Sequence, residues 1–125
     1  MPTMLELAET SHPGASYDGR EVVPLQGLSM LPMLRGEVTS VHPSDLFMGW
    51  ELFGKRAVRV GPWKIVWTPE PYGPSDWQLY NLDEDPGEIN DLSLQYPERR
   101  SELLARWDAY VLANNVILPE TTSGY

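Results

Sequence analysis

Apolar residues recur along this chain with two periods, and the change from one to the other divides it. Near the start, Met1, Met4, Leu5 and Ala8 fall on one face of a short helix opened by Pro2 and Thr3. About two turns are available, so this helix needs something to pack on. Ser11 to Ser16 reads as an irregular loop. Leu28, Leu31, Met33 and Leu34 then predict a further helical turn or two between Leu25 and Arg35, with Ser29 near its start and Gly36 as its stop.

From Val38 onward the period shortens to that of strands. Leu46 to Phe53, Arg56 to Val60 and Trp63 to Trp67 are separated by Gly54-Lys55 and Gly61-Pro62, both turn signals. The alternation sends Arg56, Val58 and Val60 to one face and Ala57 and Arg59 to the other. Trp63, Ile65 and Trp67 likewise oppose Lys64 and Val66. A fourth strand, Trp77 to Asn81, follows the loop Pro69 to Pro74, which completes an antiparallel meander. The period lengthens again after Pro97, where Leu103, Leu104, Trp107, Tyr110 and Val111 make one apolar helical face. Glu98 and Glu102 suit the positive end of that helix, Glu102 with Arg106 makes an i,i+4 pair, and Asn114-Asn115 is its stop. The fold class is therefore α+β: a small four-stranded antiparallel sheet packed by a C-terminal helix, preceded by a short helical segment.

Composition narrows the function classes. The 125 residues include five Trp and six Tyr, enough apolar surface for a core, with burial worth roughly 25 cal/mol per Å². A formal charge of -9 argues against nucleic acid and against anionic lipid. The absence of Cys removes disulfides, thiolate metal sites and a cysteine nucleophile, and leaves the redox compartment open. No run approaches the roughly 18 apolar residues of a membrane span. Met1 to Leu7 lacks the basic start of a signal peptide, so a mature N-terminus or a truncation is the expectation.

Several stretches, in order, resemble one family. Met1-Pro2-Thr3-Met4-Leu5-Glu6-Leu7-Ala8 is similar to a DLxPTLLELAG pattern, and Gly19-Arg20-Glu21-Val22 to Leu34-Arg35-Gly36 to a GRS-LLPLLRG stretch. Trp50 to Gly54, Ala57-Val58-Arg59 and Gly61-Pro62-Trp63-Lys64 resemble an RAVRxGDWK strand pair. Trp77-Gln78-Leu79-Tyr80-Asn81-Leu82, Asp85-Pro86-Gly87-Glu88 and Asp91-Leu92 resemble a WxLYDLxxDPGExxDLA ending. These are motifs of the type I, formylglycine-dependent sulfatases, and the chain looks like the C-terminal part of a bacterial arylsulfatase.

The resemblance implies that residues 1–36 are the last edge of a large alkaline-phosphatase-like domain and residues 37–125 the C-terminal subdomain. It also implies sulfate ester hydrolysis by a formylglycine hydrate with calcium. Both would belong to the missing N-terminal part: no Ser here is followed by Pro and Arg in the required C/S-x-P-x-R order. No catalytic residue, metal ligand or cofactor is assigned to this chain. The implied partner is the missing large domain, with self-association through exposed apolar surface and no nucleic acid or membrane. The compartment, bacterial cytoplasm or periplasm, is left open.

Other residues carry candidate chemistry alongside simpler roles. His12 and His42 titrate in the right range for acid/base work, but each sits in a His-Pro loop. Asp83, Glu84, Asp85, Glu88 and Asp91 suggest calcium, yet Pro86 and the placing of Gly87 break the EF-type ligand spacing and favour a solvated turn. Arg56, Arg59 and Lys64 could hold an anion or form cross-strand pairs. Trp50, Trp63, Trp67 and Trp77 could form a sugar or aryl platform or simply core. His42, Glu51 and Lys55 are the candidates for the rim of a pocket built elsewhere. A free-standing protein-interaction module derived from a sulfatase tail is the alternative to a silent fragment.

Overall fold

The computed structural model describes residues 1–119, in two compact units that divide between Pro43 and Ser44. Residues 120–125, the end of the span expected for the sheet and helix, lie outside the described residues.

In the first unit, helix α1 (Pro2–Leu7) is followed by a hairpin of β1 (Ser16–Tyr17) and β2 (Arg20–Glu21), then by a single turn, α2 (Leu31–Leu34). The hairpin corrects the loop expected up to Ser16. Asp18 (φ 50°) and Gly19 (φ 72°) form its two-residue turn, an Asp-Gly signal that the reading of apolar periodicity passed over. Helix α2 supplies one of the turn or two expected between Leu25 and Arg35; the Leu31 N–H is held by Ser29 Oγ at 3.2 Å and the chain leaves through Gly36 at φ 76°. Of the expected apolar face of α1, Met1, Met4 and Ala8 are exposed and Leu5 is half-buried. Thr3 Oγ1 accepts from the Met30 N–H at 3.0 Å, and the Pro2 ring lies near Gly27.

The second unit holds a four-stranded antiparallel sheet in sequence order: β3 (Phe47–Leu52), β4 (Lys55–Val60), β5 (Trp63–Trp67) and β6 (Trp77–Asn81). The first strand, expected over Leu46 to Phe53, runs from Phe47 to Leu52. Helix α3 (Pro97–Asn114) lies on one face. Register aligns Gly49, Val58, Ile65 and Leu79 in one row across that face, and the last three are fully buried with Leu103 and Trp107 of α3. All five residues of the expected helical face are buried or packed against this core.

One local feature departs from the expected helix: Glu102 pairs with Arg99 at 2.6 Å, an i,i+3 pair, while the Arg106 guanidinium stacks on the Phe47 ring. The helix stops where expected, with Asn115 in the left-handed region at φ 48°.

Candidate functional site

Alternation decides which side chains can act together. Arg56 projects to the helix-covered face, whereas Arg59 and Lys64 lie directly opposite one another on the other face. The three cations therefore do not converge on one ligand. Arg59 donates from Nε to the Gly61 carbonyl at 2.8 Å, and Lys64 pairs with Glu88 at 2.5 Å. The tryptophans divide in the same way. Trp63 and Trp77 pack against the core, Trp67 lies on their face, and Trp50 stands on the opposite face, 46% exposed. No four-ring platform forms.

At the turn end of β3 and β4, Glu51 Oε1 accepts from the Gly54 N–H at 2.8 Å, which clamps the tight turn. Across the strand from Glu51, Arg56 lays its guanidinium over the Trp67 ring, 4.1 Å from the centroid. Burial pulls Arg56 below its ordinary value and Glu51 opposes that; its Nε is buried without a hydrogen-bond partner. Lys55 reaches over the Tyr72 ring at 5.3 Å. Of the three rim candidates, Glu51 and Lys55 share this hairpin. His42 belongs to the first unit, where its carbonyl accepts from Ser40 Oγ at 2.9 Å. His12 Nδ1 accepts from the Gly14 N–H at 3.1 Å and so closes its own loop.

The acidic segment after β6 is built into the fold. Asp85 Oδ2 accepts from the N–H groups of Ile89 (2.8 Å) and Asn90 (2.7 Å), and Asp91 Oδ1 from those of Leu79 (3.0 Å) and Ser93 (2.9 Å). Glu88 is held by Lys64. These carboxylates already serve as acceptors for the protein's own donors, and among the described residues no group of three His, Cys, Asp or Glu could hold a metal ion. The donor set does not fit calcium. The nearest approach to a formylglycine motif, Ser11-His12-Pro13-Gly14-Ala15, has Ala where Arg is required.

Burial would raise the Asp91 carboxyl, but the hydrogen bonds from Leu79 and Ser93 and the charge of Arg100 outweigh it and leave it below its ordinary value. Tyr80 moves up, through burial first and then the charges of Asp91, Glu88 and Asp85. A depressed carboxylate contributes stability above its unfolded pKa, and that contribution disappears as pH falls through the lower folded value. Asp91→Ala is therefore expected to destabilise the sheet unit by about 1–2 kcal/mol at neutral pH. The difference from the parent should shrink below about pH 4, the ordinary carboxylate range. Urea titrations at several pH values check both.

The ordered stretches have a counterpart in known proteins. No family model matches the chain. It is 38% identical over 118 residues to an uncharacterized sulfatase of Schizosaccharomyces pombe, covering 94% of this chain and 21% of that protein. Sequence and fold both match sulfatases. The structure of a 2-O GAG sulfatase aligns with TM-score 0.58 at 26% identity, over 91% of this chain and 24% of that one. A structure from work on glycosaminoglycan metabolism by Bacteroides thetaiotaomicron aligns with TM-score 0.59 at 21% identity, over 86% of this chain and 23% of its own. The matched stretch is the C-terminal portion of these sulfatases, so the chain spans about a fifth of their length.

Proposed function

We propose that this chain is the C-terminal subdomain of a type I, formylglycine-dependent arylsulfatase of the bacterial kind and performs no catalysis by itself. The observation that carries the reading is the pairing of a match along 94% of the chain with a carboxylate set already committed to internal donors. In this reading residues 1–36 are an edge of the large alkaline-phosphatase-like domain and residues 37–125 the subdomain that closes one side of it. Formylglycine and calcium come from the part of the sulfatase length that the chain does not span. Glu51 and Lys55 from the hairpin and, separately, His42 are the residues offered to the mouth of the pocket. The exposed Trp50 and Leu52 favour the other reading, a free-standing interaction module.

An antibody raised against the Pro97–Asn114 helix distinguishes the two in the cells that make the protein. The fragment reading expects a native species several times heavier than 14.2 kDa. A native species near that mass supports the module instead. Turnover of an aryl sulfate by the purified chain, above a calcium blank, would overturn the assignment of catalytic silence.

A further inference from the structure

Strand β6 forms an edge of the sheet, and its outward backbone groups belong to Trp77, Leu79 and Asn81. Two different elements cover them, as an edge strand requires. At one end the cover comes from α3. The Trp77 carbonyl accepts from Arg100 Nε (3.1 Å), and Arg100 Nη2 holds Asp76 Oδ1 (2.8 Å), which accepts from the Trp77 N–H (2.7 Å). Along the rest of the edge the cover is the segment between β6 and α3. The Leu79 N–H donates to Asp91 Oδ1 (3.0 Å), the Leu79 carbonyl accepts from the Leu92 N–H (2.8 Å), and the Asn81 carbonyl accepts from the Asp85 N–H (2.8 Å).

This segment is a strap fixed at both ends. Before it, the Leu82 N–H donates to the Pro62 carbonyl (2.8 Å); after it, the Tyr96 ring meets the Trp63 ring edge-on, 5.3 Å between centroids. Of the aliphatic side chains between, Leu92 packs against the core, whereas Ile89 is 81% and Leu94 96% exposed. Carboxylates hold the middle instead. Asp91 also accepts from the Ser93 N–H, Asp85 accepts from those of Ile89 and Asn90, and Glu88 pairs with Lys64. A segment with so little apolar burial opens at a lower free energy than the sheet and helix beneath it. Its hold depends on ionisation, because a hydrogen bond to a charged acceptor is roughly twice as strong as a neutral one.

The charged and titratable groups that face these aspartates come from every neighbouring element: Lys64 of β5, Tyr80 of β6, Arg100 of α3, and Glu88 on the strap itself. Acid leaves Lys64 and Arg100 cationic and Tyr80 neutral, so the carboxylates alone change charge.

We propose that residues 83–95 are an acid-released strap: protonation of Asp91 and Asp85 frees the segment from β6 and uncovers the Leu79 and Asn81 edge, while the sheet and α3 stay packed. Asp91 lies below its ordinary value, and a carboxylate so placed gives up its contribution as pH falls through that lower value. Release therefore belongs below about pH 4. The inference rests on bonds within this chain and is independent of the sulfatase reading.

Amide hydrogen exchange of the full chain, followed by NMR from about pH 6 to about pH 3 and divided by the intrinsic rate at each pH, tests it. Protection at Leu79, Ile89, Asn90 and Ser93 should fall by at least about tenfold over this range, the loss of a hydrogen bond to a charged group. At the acid end Val58 and Ile65, in the central strands, should remain at least about a hundredfold better protected than the strap. Low concentrations of urea should speed exchange at Val58 and Ile65 and barely affect the strap, because local opening exposes little surface. Asp91→Asn keeps the shape and removes the charge. It should lower protection at Leu79 and Ser93 by at least about tenfold at neutral pH and flatten their acid response. Strap protection that is constant with pH overturns the proposal. Equal protection and equal urea dependence at the strap and at Val58 and Ile65 overturn it too, since the whole unit then opens at once. A full acid response at Leu79 in Asp91→Asn does the same.

Discussion

Trp107→Ala is expected to lower the stability of the sheet-and-helix unit by about 3–5 kcal/mol, a large part of the 5–15 kcal/mol available to a domain. Trp107 is 6% exposed and joins three parts of the core. Its ring lies 5.5 Å from that of Trp77 on β6 and 5.7 Å from that of Tyr110 one turn further along α3, and it shares the cluster with Val58, Ile65, Leu79 and Leu103. Truncation removes the indole's apolar burial and leaves a cavity that two neighbouring rings cannot collapse to fill. The midpoint of a urea titration should fall by about 2 M, with the slope unchanged if the transition stays two-state. Leu112→Ala, at a position 85% exposed on the same helix, should move it by less than about 0.5 kcal/mol. Equal effects at the two positions would mean that α3 does not dock as described.

The second large effect is expected at Gly49. In a strand, Ala in place of Gly ordinarily stabilises by roughly 0.5–1 kcal/mol, because Gly has more freedom to lose. Here the sign should reverse. A Cβ at this position would stand 2.4 Å from Tyr110 Cγ and 2.5 Å from Cδ2, so the ring would have to move. Tyr110 is itself packed against Trp107 and the core, and forcing it aside should cost about 1–3 kcal/mol. Gly49→Ala should therefore destabilise in the parent chain and become neutral or stabilising in Tyr110→Ala, a coupling that a double-mutant cycle measures directly. Additive effects would show that the close approach of ring and strand is not what the glycine serves.

Gly49 also shows why part of this protein was beyond sequence reading. Nothing local distinguishes it from a weak point in a strand; its purpose comes from a ring 61 positions later on α3. The carboxylates after β6 are similar. Their order favoured a solvated turn over a cation loop, but it did not show that Asp91 meets the N–H of Leu79, 12 residues away, and Asp85 those of Ile89 and Asn90. The charge count was legible, and the partners were not. By contrast, the division of Arg56 from Arg59 and Lys64 followed from alternation alone, since successive side chains in a strand must point to opposite faces.

The amino-acid order by itself determined the four strands of the meander, the long terminal helix and its buried face, because periods of 2 and 3.6 are properties of the local backbone. It also carried the resemblance to sulfatases, which rests on residues in sequence. Tertiary structure alone decided the rest: that Thr3 and Pro2 of α1 meet Met30 and Gly27, and that donors and acceptors from the β6–α3 segment and from α3 cap the β6 edge. Each of these depends on a group arriving from elsewhere in the chain. A periodic pattern shows which side of an element seeks burial, but the partner that satisfies a donor or fills a gap is known only once the elements are packed.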